Sequence, residues 1–139
     1  RLKQVGIKAT LMGAGGCVSQ NFRNLAQKDG EGVTALEPGL AVEQMPGGKD
    51  FDQSYKQRFK QPIELHAPFA YAGVGVLINA LEKADSTDPK KYLPVLRASE
   101  YQGVTGTIAF DEQGNPKNPA ATVFQFAHGC WKTPSVERD

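Results

Sequence analysis

The glycine-rich stretch LMGAGGCVSQNF, residues 11–22, has the residue types and spacing of a ligand-holding loop. An apolar pair precedes a predicted turn from Gly13 to Cys17, and Ser19 can cap the helix that follows, because its hydroxyl accepts from free amides. Open α/β sheets place small ligands in such loops, where free amides suit a carboxylate or another polar group. The loop could therefore hold a phosphate or an amino acid, present a nucleophilic thiol, or hold no ligand.

A dinucleotide is one candidate ligand for this loop. The pattern Gly13-x-Gly15-x-x-Val18 follows a predicted strand and opens a helix, and Glu37 ends the next predicted strand, 22 residues after Gly15. A nucleotide-binding fold places such an acid on the ribose hydroxyl. However, Val18 stands where close helix–sheet packing normally requires a third glycine. An NAD-dependent oxidoreductase is therefore the alternative function, and a binding module is favoured.

Thiol and metal chemistry have weaker support. Cys17 lies near a predicted helix N-terminus, and His66 or His128 could act as its base, but no local signature surrounds them. Cys17 and Cys130 suit two half-buried thiols, or a disulfide if the fold brings their Cα atoms within about 7 Å. No CxxC motif and no cluster with metal-ligand spacing is present in the sequence. We therefore expect no catalytic residue, no metal and no cofactor, and a protein that is not an enzyme.

Composition narrows the class of protein. The chain has 139 residues, enough for one domain with a core, and carries 16 basic and 15 acidic residues without a basic run. This balance argues against a nucleic-acid or anionic-membrane partner. No apolar run approaches the roughly 20 residues of a membrane span. Because the chain begins with Arg1 rather than Met, we expect a piece of a longer protein, whose missing signal peptide says nothing about its compartment.

The first quarter of the chain predicts an α/β fold. Residues 1–6 are typical of a helix end, and residues 7–37 of a strand, a helix and a second strand, which favours a parallel pair with a right-handed crossover. The first strand should end at Met12. The helix should run from Gln20 to about Lys28, with Phe22, Leu25 and Ala26 on its buried face.

The rest of the chain predicts a linker over residues 37–48, three helices and a strand–turn–strand over 101–131, with residues 132–139 as a frayed tail. Phe51, Tyr55 and Phe59 should form one apolar stripe. A long helix should begin near Pro68 and reach about Ala84, with Gly73 and Gly75 at a close packing contact. Asp88 should cap a helix that ends near Ala98. Leu65, His66 and Phe69 lie where the long helix starts, and each suits either core packing or a binding cleft.

Three segments resemble the C-terminal part of the periplasmic solute-binding proteins of branched-chain amino acid ABC transporters. They are KQVGIKATLMGAGG, HAPFAYAGVGVLINALEKADSTDPKKYLPVL and YQGVTGTIAFDEQGNPKNPAATVFQF. The third segment is the most specific, because GVTGxIxFDExGNxKxPxxxVxQ matches in order and spacing.

The resemblance implies parts of two Rossmann-like lobes of a type 1 periplasmic binding protein, an α/β fold of three αβα layers. Residues 1–37 would belong to the C-terminal lobe, residues 38–118 to the N-terminal lobe, and residues 119–139 to a return strand and tail. The implied function is the substrate-binding component of an ABC importer. It would capture a small amino acid or related solute between the lobes, in the periplasm, for a membrane permease. Because the fragment alone would leave sheet edges and faces uncovered, its chains could pair or swap into a homo-oligomer.

The resemblance also implies which residues line the cleft: Gly15, Gly16, Cys17, Leu65, His66 and Phe69. Gly15 stands where the family often has an acid for the ligand ammonium, and His66 where an aromatic residue is common. With only neutral amides in the loop, we expect a ligand whose end is neutral or anionic, such as an amide or an aromatic carboxylate.

Overall fold

The computed structural model describes the backbone of residues 5–138 and the side chains of residues 5–133. The helix end predicted over residues 1–6 lies largely outside them. The chain divides into two compact units: unit 1 contains Arg1–Gly39 and Ala120–Asp139, and unit 2 contains Leu40–Pro119. Which family lobe each unit represents stays a prediction.

The elements follow one another as strand, helix, strand, then three helices, then four strands. The helices are α1 (Gln20–Ala26), α2 (Gly48–Phe59), α3 (Ala67–Ala84) and α4 (Pro89–Arg97). The strands are β1 (Met12–Ala14), β2 (Thr34–Pro38), β3 (Glu100–Gly103), β4 (Gly106–Ala109), β5 (Ala120–Ala127) and β6 (Cys130–Arg138). Single 3₁₀ turns cover Gly15–Cys17, Gln27–Gly30 and Val42–Gln44.

Unit 1 contains a four-stranded sheet in the order β1-β2-β5-β6, and β3 and β4 form a separate hairpin in unit 2. β1 and β2 are parallel, with Gly13 opposite Ala35, while β2–β5 and β5–β6 are antiparallel. Strands from residues 7–37 therefore share one sheet with strands from residues 120–138, while residues 103–110 lie outside that sheet. At the boundary between the units, the Gly39 amide donates to the Ala120 carbonyl at 2.6 Å.

Two predicted boundaries in unit 1 are wrong. β1 begins at Met12, where the strand was expected to end, because Gly13 and the residue after it pair with β2, so the turn starts only at Gly15. The predicted final strand is a hairpin: His128 (φ 54°) and Gly129 (φ 77°) form the two-residue turn between β5 and β6, whose positive φ angles suit the twist of the strands. β6 continues to Arg138, so residues 132–138 are not a frayed tail.

An aromatic cluster forms the core of unit 1. Phe126 is fully buried, and its ring meets Phe22 and Trp131 edge-on, each with ring centroids 5.3 Å apart. The Phe22 and Trp131 centroids are 5.0 Å apart. Leu25, expected on the same face of α1, is 86 % exposed. The packed face of this seven-residue helix is narrower than predicted, because only Phe22 and Ala26, four residues apart, are half-buried.

In unit 2, the predicted aromatic stripe of α2 is confirmed. Ring centroids of Phe51 and Tyr55 lie 6.1 Å apart and those of Tyr55 and Phe59 lie 4.7 Å apart. Tyr71 of α3 extends the cluster, with its centroid 5.1 Å from that of Phe51. The stripe therefore packs α2 against α3.

Helix α3 spans the predicted range and carries apolar residues on more than one face. Pro68, Ala72, Val76 and Ala80 are buried at intervals of four, whereas Val74 is 57 % and Ile78 48 % exposed. A Cβ at Gly75 would lie 2.5 Å from the Tyr101 hydroxyl, which confirms the close contact expected there. Gly73 faces open space, so that half of the expectation is wrong. Residues two apart point to nearly opposite sides of a helix.

The local end signals are confirmed. The Ser19 hydroxyl accepts from the Phe22 amide at 3.2 Å, and the Asp88 carboxylate accepts from the Lys90 amide at 3.0 Å.

In the loop after β4, Asp111 accepts from both the side-chain amide and the backbone amide of Asn115. These bonds lower the pKa of the Asp111 carboxyl, and the bond from the Asn115 side chain has the largest effect.

Candidate functional site

The glycine-rich loop lies at the carboxyl end of the parallel pair β1–β2. Gly15–Cys17 form a 3₁₀ turn in which the Val18 amide donates to the Gly15 carbonyl at 2.9 Å, and the Ser19 amide donates to the Cys17 carbonyl at 2.8 Å. Gly15 is partly exposed and Gly16 is exposed. The loop thus presents backbone at the edge of the sheet where α/β proteins bind small ligands.

The side chain of Cys17 folds back over the loop. A Cβ at Gly13 would lie 2.6 Å from the Cys17 sulfur, so glycine at that position makes room for the thiol. Cys17 and Cys130 are free and half-buried. His128 is not the base for Cys17, because it lies in the β5–β6 turn, which the register of β2 with β5 places beyond the amino end of β2.

The buried carboxyl group of Glu37 lies directly against Gly15. Glu37 is 4 % exposed, and a methyl group at Gly15 would overlap its carboxylate oxygens. The register explains this contact: Ala14 is opposite Leu36, so the residues that follow, Gly15 and Glu37, reach the same level. A carboxyl group that is not part of the loop therefore lies directly against Gly15. The parallel pairing of the two strands was predicted from the sequence, but the register that brings Gly15 and Glu37 together was not.

The other predicted site residues lie together in unit 2, around the first turn of α3. His66 precedes the helix, is exposed, and accepts through its carbonyl from the Ala70 amide at 3.0 Å, while its imidazole forms no capping hydrogen bond. Leu65 and Phe69 are half-buried. A ligand that touches both this group and the loop of unit 1 stays a prediction.

In the part of the chain that the structure describes, no three or more His, Cys, Asp or Glu side chains lie close enough to hold a metal ion. No helix within residues 5–138 has both the length and the apolar character that crossing a membrane requires. Unit 1 offers backbone amides, the Cys17 thiol and the buried Glu37 carboxyl group around the glycine-rich loop, and unit 2 separately offers the exposed imidazole of His66.

The sequence model of the periplasmic binding protein family matches residues 1–130. The chain belongs to this family. The predicted resemblance to this family and the predicted α/β fold are therefore confirmed. The members of this family are binding proteins. The alternative of an NAD-dependent oxidoreductase is not favoured.

Individual relatives agree with the family match. The Leu-, Ile-, Val-, Thr- and Ala-binding protein of Pseudomonas aeruginosa is 33 % identical over 131 residues, which cover 94 % of this chain and 35 % of that protein. A leucine-binding protein from Thermotoga maritima has a TM-score of 0.82 at 21 % identity, with 96 % of this chain and 39 % of that one covered. A solute-binding protein from R. palustris, solved with benzoate, has a TM-score of 0.72 at 15 % identity, covering 96 % and 37 %.

The chain spans about a third of the length of the curated relatives it matches. The two solved structures share the fold of this periplasmic binding protein, with fewer than a quarter of residues identical.

Proposed function

We propose that this chain is part of the substrate-binding component of an ABC importer that captures a small amino acid or related solute. The single observation that carries the proposal is the family match over residues 1–130, supported by the 33 % identity to a protein named for binding five amino acids. It acts by binding rather than by catalysis. Its partner is a membrane permease, and its compartment is the periplasm.

We propose further that the ligand lies in a cleft between two lobes, lined by Gly15, Gly16 and Cys17 from unit 1 and by Leu65, His66 and Phe69 from unit 2. Residues 1–37 and 119–139 would belong to the C-terminal lobe, and residues 38–118 to the N-terminal lobe. The glycines let backbone amides approach the ligand, and the exposed imidazole of His66 supplies a flat surface with a donor or acceptor.

A thermal-shift screen of the protein at its full natural length tests this function. Leucine, isoleucine, valine, alanine and threonine are compared with NAD. At a concentration 100 times its dissociation constant, a true ligand should stabilise the native state by about 2.7 kcal/mol. His66→Ala should weaken binding about fivefold, the size of a lost stacking or hydrogen-bond contact, whereas His128→Ala should not. A rise in melting temperature with NAD alone would favour the nucleotide-binding alternative.

We also propose that a polypeptide of these 139 residues alone associates into homo-oligomers. Val74, Ile78 and the 62 % exposed Tyr71 form an apolar surface on α3, and exposed apolar surfaces of this kind favour association. Light scattering should show oligomers at high concentration, and Val74→Lys combined with Ile78→Lys should shift them towards monomers. Glu82→Lys, on the same helix, makes the same change in net charge and should have little effect. A monodisperse monomer of the unchanged chain would contradict this proposal.

A further inference from the structure

The side chain of Glu37 enters unit 1 beneath the glycine-rich loop. Along β2, Ala35 and Glu37 are 0 % and 4 % exposed, whereas Leu36 between them is 40 % exposed. Successive side chains of a strand point to opposite faces, so the Glu37 side chain shares the packed face with Ala35. At the same level of β5, its partner Thr122 is also fully buried.

Gly15 brings this carboxylate close to the surface of the loop. The carboxylate occupies the space in which a side chain at Gly15 would begin, and Gly15 itself is partly exposed. The Glu37 carboxyl group therefore lies directly beneath the exposed backbone of the loop. At such short range, and out of bulk water, an ionised carboxylate interacts more strongly with an opposite charge than it would in solvent.

Glu37 is distinguished from the other acidic residues of unit 1 by its position. Among the acids of this unit whose side chains the structure describes, Asp29 and Glu31 precede β2 and lie at its amino end. The Glu31 carboxylate accepts from the His128 amide at 3.0 Å there. Residues 11–22 contribute no charged side chain to the loop. Glu37 is thus the described carboxylate at the carboxyl end of the parallel pair.

We infer that Glu37 is a specificity-determining residue, which selects ligands with an ammonium group at the glycine-rich loop. The inference rests on the proposed function and narrows its substrate class to amino acids, in place of the neutral or anionic ligand expected from Gly15. A charge-assisted hydrogen bond to the ammonium supplies the selection, and glycine at position 15 is required because the Glu37 carboxylate fills the space of its side chain.

Calorimetry on the protein at its full natural length tests this with two probes, L-leucine and 4-methylpentanoate, which is the same carbon skeleton without the amine. The unchanged protein should bind leucine at least tenfold more tightly. Glu37→Gln, which keeps the size of the side chain and removes its charge, should weaken leucine binding about tenfold or more and leave 4-methylpentanoate within about twofold. Glu31→Gln removes a carboxylate at the other end of β2 and should change neither affinity.

A Glu37→Gln variant that keeps both the leucine affinity and the discrimination would overturn the inference. If that variant does not fold, the unchanged protein still decides, because equal or tighter binding of 4-methylpentanoate overturns the inference while leaving solute binding intact. Binding of neither probe, nor of any amino acid in the thermal-shift screen, would instead remove the proposed function together with this inference.

Discussion

Replacing Phe126 with alanine is expected to lower the free energy of unfolding of unit 1 by about 3–5 kcal/mol. The Phe126 ring is fully buried and meets both Phe22 and Trp131 edge-on. Truncation removes the transfer free energy of the ring and leaves a cavity that the surrounding strands can fill only in part. Two edge-to-face contacts are lost with it.

Urea unfolding followed by tryptophan fluorescence measures this effect, because Trp131 is the single tryptophan of the chain and lies in the same cluster. Leu25→Ala is the matched control: this side chain is 86 % exposed on α1, and its loss should change stability by no more than about 0.5 kcal/mol. Equal destabilisation by both substitutions would show that the aromatic cluster is not the core of unit 1.

Gly48→Ala is expected to destabilise unit 2 by about 3 kcal/mol, although alanine normally favours a helix over glycine. Gly48 is the buried first residue of α2, and an added methyl group would overlap the carbonyl oxygen of Val42. Since the obstacle is backbone rather than the flexible end of a side chain, α2 would have to shift. Met45 lies 3.1 Å away on another side of the same position and limits that movement.

Urea unfolding followed by the helical circular dichroism signal measures whether Gly48→Ala lowers or raises the free energy of unfolding. Gly73→Ala provides the control within the same unit, because a methyl group there meets nothing within 4 Å. Gly73→Ala should stabilise the protein by about 0.5–1 kcal/mol, because alanine favours the helix over glycine and reduces the conformational entropy of the unfolded chain. If Gly48→Ala also stabilised the protein, the close approach of α2 to the preceding 3₁₀ turn would be wrong.

Features set by neighbouring residues could be predicted from the sequence. Asp88 followed by Pro89 defines the start of α4, because the cap and the fixed proline φ act within one turn. The extent of α3 and the stripe of Phe51, Tyr55 and Phe59 follow from spacing alone. In these cases the local preference and the final packing agree.

Features that depend on contacts between residues far apart in the sequence could not be predicted from local spacing. Leu25 has the spacing of a buried residue, but the short α1 contacts the sheet along a line that only the position of Phe126 defines. His128 occupies a left-handed turn position for which asparagine is the usual signal, so the β5–β6 hairpin was missed. The contact of Gly15 with Glu37 depends on strand register, which spacing within either strand does not reveal.

The pairing of β2 with β5 has a consequence for the order of folding during synthesis. Thr34 and Gln125, which are opposite each other, lie 91 residues apart in the chain, and all of unit 2 is translated between them. Unit 2 is continuous, so its contacts can form as soon as Leu40–Pro119 have left the ribosome. The nascent β2 meanwhile has an open edge on the side that β5 later covers. The part of the sheet that carries the glycine-rich loop is therefore translated before unit 2 and completed only after it.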